Sequence, residues 1–308
     1  NAQGTQLSVD AIAKVQAESK DGWFSGEDGG KGGETFEELT GAEVKFESTT
    51  GKVILTQSTI KATSERTQLE QPFDIEVKSQ NDTLLDQSSI TADDLTVTAT
   101  AGLIDAASAD ITLTGALTLN GANGLSLSGT QEDQGNFVSS VINLTTDEDL
   151  TLAYARFESK EGDITFKSNE GELGLDHVTL ESKTAVTLSS AEKMTLTDSE
   201  ATGTKLTVTA GSLDANGVSL TSTNEDVKVE TTGAEGTLSL KGSTVEAKTK
   251  AEVTSQADVQ IGKTTLKGPE VSVKGTAVDA QNAHLITTGG PLSVTSTSGA
   301  MDLSKAEV

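Results

Sequence analysis

Apolar–polar–apolar triplets return at a near-constant step through the middle of this chain. Ile164-Thr165-Phe166, Val186-Thr187-Leu188, Leu206-Thr207-Val208 and Val227-Lys228-Val229 begin 22, 20 and 21 residues apart. Each triplet carries the period-two signature of a strand with one buried face. A second series fills the gaps: Leu173-Gly174-Leu175, Met194-Thr195-Leu196, Val218-Ser219-Leu220, Leu238-Ser239-Leu240 and Val259-Gln260-Ile261. Two interleaved series with one step are the mark of stacked repeats, each coil returning to every face in turn. The pattern predicts an all-β fold, a parallel β-helix (β-solenoid) of about twelve coils with ~21 residues per coil.

Composition agrees with a slender interior. The 308 residues are 34 % hydrophobic and 3 % aromatic, with three prolines. Val, Leu, Ile and Ala suit a narrow core, and a chain whose N–H groups sit in ladders has little use for proline. Low hydrophobicity with a net charge of −25 also fits disorder. A disordered chain, however, has no reason to keep a phase. The charge argues against nucleic acid and anionic membrane surfaces as partners. Absence of cysteine excludes disulfides and thiolate metal sites. No apolar run is long enough to span a membrane. The chain opens on Asn1-Ala2-Gln3-Gly4 and closes in mid-pattern at Ala306-Glu307-Val308, which reads as a processed chain or a piece of a longer one.

Residues 1–42 read as an opening coil around Leu7-Ser8-Val9, followed by a loop over 18–42 rich in glycine and acid that should not hold a strand. Residues 43–308 read as the solenoid. Val53, Ile75, Leu95 and Leu117 open triplets there, and an insertion near 130–140 follows, with Leu150-Thr151-Leu152 as the next clear triplet. Ser and Thr dominate the outward positions: Thr96, Thr98, Thr112, Thr118, Ser126, Thr187, Thr195, Thr207, Ser219 and Ser239. Corners read as Asn120-Gly121, Asn123-Gly124, Asn216-Gly217, Gly233, Gly242 and Gly289-Gly290, where glycine supplies positive φ.

Runs such as Asp110-Ile111-Thr112-Leu113-Thr114-Gly115-Ala116-Leu117-Thr118-Leu119-Asn120-Gly121 and Gly203-Thr204-Lys205-Leu206-Thr207-Val208-Thr209-Ala210-Gly211-Ser212-Leu213 resemble the repeats of filamentous-haemagglutinin-type exoproteins of two-partner secretion and of autotransporter passengers. The resemblance covers roughly 43–305. It implies a right-handed β-helix, in keeping with the missing hexapeptide pattern of left-handed forms. It also implies a secreted or bacterial cell-surface location and an adhesive role without catalysis or cofactor. The implied partners are a host-cell or neighbouring-cell receptor or glycan, and an outer-membrane transporter during export.

Candidate sites are sparse. His177 and His284 lie about five coils apart and cannot meet in a linear stack, so they read as surface residues. Asp94, Asp110, Asp163 and Asp226 precede strands, where turns also want aspartate. An enzyme acting on polysaccharide would instead gather carboxylates and cations on adjacent coils; arginine is scarce (Arg66, Arg156). Trp23, Phe24 and Phe36 in the acidic loop either pack back on the stack or form a receptor or glycan contact. That loop lacks the ligand spacing of an EF-hand. Asn81-Asp82-Thr83 and Asn143-Leu144-Thr145 are N-glycosylation sequons. An enzyme on a β-helix, and a trimeric secretion or phage spike, are the alternatives to the adhesin.

Overall fold

The structure, a computed structural model, describes residues 8–9, 13–19, 22–26, 43–61 and 74–308, with side chains over 45–60 and 74–308. It is an all-β parallel β-solenoid of about 11 turns of roughly 21 residues each. The described residues contain no helix. Two compact units, Asn1–Lys160 and Glu161–Val308, divide the chain.

In the first unit each coil contributes three strands, and like strands stack in parallel. The first ladder holds Glu43–Ser48, Asp74–Ser79, Leu95–Ala99, Ala116–Gly121 and Val141–Thr146. Its inward rows run Ile75, Leu95, Leu117, Ile142 and Phe46, Val77, Val97, Leu119, Leu144. The second ladder is short: Val53–Ile54, Thr83–Leu84, Ile104–Asp105, Leu125–Ser128 and the start of Leu150–Ser159. The third holds Thr59–Lys61, Ser89–Ala92, Asp110–Leu113, Gly135–Ser139 and the end of Leu150–Ser159.

Two expectations need correction here. Val53 and Leu150 belong to the second ladder, and the first-ladder places fall to Val44 and Ile142. The reason is uneven coil length. Val44 pairs with Ile75, 31 residues on, and Ile111 with Phe137, 26 on, where Ile90 to Ile111 is 21. The extra residues of the latter coil form an exposed turn at 130–134.

The start of the chain also departs from the expected coil and loop. Ala13–Ser19 pairs antiparallel with Glu43–Ser48, and Gly22–Gly26 pairs antiparallel with Ala13–Ser19, setting Trp23 opposite Glu18 and Phe24 opposite Ala17. Glycine weakens a strand without forbidding it, and two adjacent aromatics favour one. The antiparallel strand occupies the edge of the first ladder that would otherwise be open to pairing.

In the second unit the first ladder is Ile164–Ser168, Ala185–Ser190, Lys205–Ala210, Val227–Thr231, Lys250–Ser255, Glu270–Gly275 and Leu292–Ser296. The four triplets of the first series, opening at Ile164, Val186, Leu206 and Val227, sit in it at the expected register, and Val271 and Leu292 continue the row. The second ladder runs Leu173, Met194, Leu213, Leu238, Val259, Val278, Met301. The sequence allows either Leu213 or Val218 to start the second face here; Leu213 takes the place, and Val218 is buried next to the third ladder.

The interior of both units is a set of apolar rows, most members wholly buried. Phe137 and Phe157, paired on the third ladder, stack with ring centroids 4.5 Å apart and planes 7° from parallel. At the corners the rows turn polar. Buried Ser79 donates to Asn81 O at 2.7 Å, Ser139 to Val141 O at 2.8 Å, Ser190 to Gly171 O at 2.9 Å and Ser222 to Glu225 O at 2.7 Å. These hydroxyls satisfy turn carbonyls that the ladders leave over.

One corner of nearly every coil holds a left-handed residue. Gln57, Gln87, Ser108 and Tyr154 do so in the first unit, and His177, Asp198, Gly217, Gly242, Lys263, Asn282 and Lys305 in the second. Of the glycines expected to supply positive φ, only Gly124, Gly217 and Gly242 have it, and Gly121 is buried at a strand end. Non-glycine residues bear a cost of roughly 1–2 kcal/mol here. The next coil holds them in place: Gln57 N–H donates to Asp86 O at 2.8 Å, Gln87 N–H to Ala107 O at 2.7 Å and Lys263 N–H to Gln281 O at 3.0 Å.

Candidate functional site

The corner aspartates singled out by the sequence tie one coil to the next. Asp94 Oδ1 accepts the N–H of Ala116 at 2.5 Å. Asp163 Oδ1 accepts the Ala185 N–H at 3.0 Å and the Thr184 hydroxyl. Asp226 accepts the Thr249 hydroxyl, and Asp110 accepts from Asn136 Nδ2 at 3.0 Å. Asp258, which sequence reasoning passed over, does the same with Thr276 at 2.5 Å and the Ala277 N–H at 3.2 Å. The turn reading of these aspartates therefore gains a definite role as a carboxylate clamp.

The two histidines stand apart on the second unit, both about half exposed. His177 Nδ1 lies 2.7 Å from Asp176 Oδ1 and its Nε2 3.9 Å from Asp198 Oδ2. His284 Nδ1 lies 2.9 Å from Glu307 Oε2. Among the described residues no group of three His, Cys, Asp or Glu side chains is arranged to hold a metal ion.

Register brings together one carboxylate pair that sequence reasoning missed. Asp105 occupies the outward position between Leu84 and Ser126 on the second ladder, and Asp86 lies one coil below, accepting the Ala107 N–H at 3.3 Å. Burial pushes the Asp105 carboxyl above its ordinary range, and the charge of Asp86 adds to the push. Asp105 Oδ1 is buried with no hydrogen-bond partner. Beside this pair, Asp82 meets Lys52 Nζ at 2.6 Å, which holds its carboxyl low. No sequence signal marks the pair, because 19 residues separate its members.

The outward positions of the first ladder form aligned columns in the first unit. Thr96, Thr118 and Asn143 stand in one column, Thr98, Asn120 and Thr145 in the next. All six are half-buried, and none makes a side-chain hydrogen bond within the described residues. They contrast with the corner hydroxyls, which are engaged. The coil beneath is charged instead: Glu76 bonds Lys45 and lies 3.1 Å from Lys78. The run 111–131, most of one coil, contains no charged residue. The second unit repeats the arrangement with Thr165, Thr187, Ser189, Thr207 and Thr209, broken by Lys167. Hydroxyls rotate to donate or accept, so a flat row of them offers hydrogen bonds of either polarity.

Other sequence candidates fall elsewhere. Trp23 and Phe24 lie in the strand Gly22–Gly26, with side chains outside the described ones, and Phe36 lies outside the described residues. Asn81 is exposed in a turn, while its sequon partner Thr83 is buried and bonded to Ser79 at 2.8 Å. Asn143 stands in a central strand of the hydroxyl and amide face. Comparison with known proteins finds no matching family, no similar curated protein and no similar solved structure.

Proposed function

We propose that this chain is a rigid, non-catalytic contact segment of a secreted or cell-surface β-helical protein, presenting flat faces and exposed turns to a cell or surface receptor. A right-handed winding, export through an outer-membrane transporter and an adhesive role all belong to this reading. They rest on the likeness of the repeats to filamentous-haemagglutinin-type proteins. The observation that carries the proposal is the first ladder of the first unit, where six outward hydroxyl and amide groups face solvent unengaged. The corner hydroxyls of Ser79, Ser139 and Ser222 are bonded to turn carbonyls, whereas these six make no side-chain bond within the described residues. The exposed turn at 130–134 and the segment with Trp23, Phe24 and Phe36 are further contact elements in this reading.

The test is adhesion under flow. Beads coated with the protein should be retained on a cell panel above beads carrying a size-matched acidic protein, and deletion of 18–42 should lower retention if the aromatics take part. Retention no greater than the control would reject the reading.

One observation favours a second reading, an enzyme acting on polysaccharide. Asp86 and Asp105 are carboxylates on adjacent coils, and burial, with the charge of Asp86, pushes the Asp105 carboxyl above its ordinary range. Release of reducing ends from a polysaccharide panel, abolished by Asp105→Asn, would establish it.

A further inference from the structure

Resting on the contact reading above, we propose that Thr96, Thr98, Thr118, Asn120, Asn143 and Thr145 form a platform for an uncharged polysaccharide. The groups form a grid of two columns and three rungs. Ladder geometry spaces them about 4.8 Å from rung to rung and, two residues apart along a strand, about 6.7 Å across. The backbone beneath is held on both sides by parallel pairing, and Leu117, Leu119, Ile142 and Leu144 behind it are fully buried. The grid is therefore fixed before any ligand arrives, which removes an ordering cost from binding.

Charge selects the class of ligand. The protein carries a net −25, so acidic polymers are repelled at long range. The platform itself has neither cation nor anion, so nothing on it attracts a charged headgroup, nucleic acid or sulfated glycan. A neutral sugar chain presents hydroxyls in series, each able to donate and accept, which complements hydroxyl and amide groups of the same versatility. No aromatic side chain stands on the platform for a sugar ring to stack on. Each sugar is then held weakly, and binding must grow with polymer length as contacts add along one chain.

The experiment is co-sedimentation with insoluble cellulose, chitin and β-1,3-glucan, with calcium alginate gel as the acidic control. Oligomers of increasing length compete for the bound protein. The variant Thr96→Val/Thr118→Val keeps the β-branched shape and removes two hydroxyls, with Thr112→Val, on the third ladder, as its control. The wild type should sediment with at least one neutral polymer and not with alginate. The double variant should bind at least tenfold more weakly, and Thr112→Val should stay within twofold of wild type. No sedimentation with any neutral polymer, preference for alginate, or unchanged binding by the double variant overturns the platform. Bead retention on cells separates the two levels. If cells still hold the beads while every polymer fails, the platform falls and the contact reading stands; loss of both removes the contact reading as well.

Discussion

Truncating Phe157 to alanine tests how this stack divides its stability. The side chain is fully buried and lies flat against Phe137 of the preceding rung at 4.5 Å. Removing such a ring from a core costs about 3–5 kcal/mol, because the cavity cannot close when the backbone on both sides is pinned in ladders. Of this, about 0.5–1.5 kcal/mol belongs to the ring pair itself and should emerge as the coupling energy of a Phe137→Ala/Phe157→Ala double-mutant cycle. In a one-dimensional array each coil depends on its neighbours, so the loss should be local. Native-state hydrogen exchange is the assay. Amides of 135–139 and 155–159 should lose roughly 150- to 4,000-fold protection, the equivalent of that energy at about 1.4 kcal/mol per tenfold. Amides of 250–255, in the other unit, should keep theirs. A cost below about 1 kcal/mol, or an equal loss of protection throughout, would refute the reasoning.

Four further substitutions test single positions. Asp105→Asn should stabilise the fold by about 1 kcal/mol at pH 7, since it removes a partly buried negative charge that stands beside Asp86. Its raised native pKa means that protonation favours the folded state, so the advantage of the variant should shrink as pH falls toward 3.8 in urea titrations; destabilisation at pH 7 would contradict the account. Glu76 has the opposite sign, because Lys45, then Lys78, lower its pKa from 4.5; its contribution is present above that pH and lost as pH falls through the native value. Glu76→Gln should cost less than about 1 kcal/mol at pH 7 and nothing near pH 2, read from denaturant midpoints at both pH values. Gly102→Ala should destabilise by about 1–3 kcal/mol, because a Cβ there would stand 2.1 Å from the backbone carbonyl carbon of Asn81. Gly174→Ala meets nothing within 4 Å and should change the thermal midpoint little.

How far the fold could be read depended on strand length. The first ladder of the second unit was legible because its strands run five or six residues, long enough for two full alternations, and Ile164, Val186, Leu206 and Val227 pair as their spacing predicts. The second ladder contributes as few as two residues per coil, as at Leu238–Ser239 and Val259–Gln260. A two-residue strand has no period to detect, so Leu213 and Val218, both buried, could not be ranked from the sequence. In the first unit the long steps at 44–75 and 111–137 broke the count, and Val53 was drawn into the wrong series.

The candidate platform was half legible for a deeper reason. Threonine and serine serve two purposes here, and only phase to within one residue decides which. Turned inward at a corner, Ser79 and Ser222 bond turn carbonyls and belong to the fold. Turned outward on the first ladder, Thr96 and Thr118 bond nothing in the described chain. Ser239 shows the hazard: the alternation places it outside, yet it is buried. That Thr96 and Thr118 face outward can be read from Leu95-Thr96-Val97 and Leu117-Thr118-Leu119. That they stand side by side with Asn143 cannot, because a 25-residue step separates Leu117 from Ile142 where the preceding step is 22. The grid exists only once the insertion at 130–134 is absorbed within its own coil. Lengthening or shortening that turn should therefore leave the columns aligned, since the ladder and not the loop sets their register.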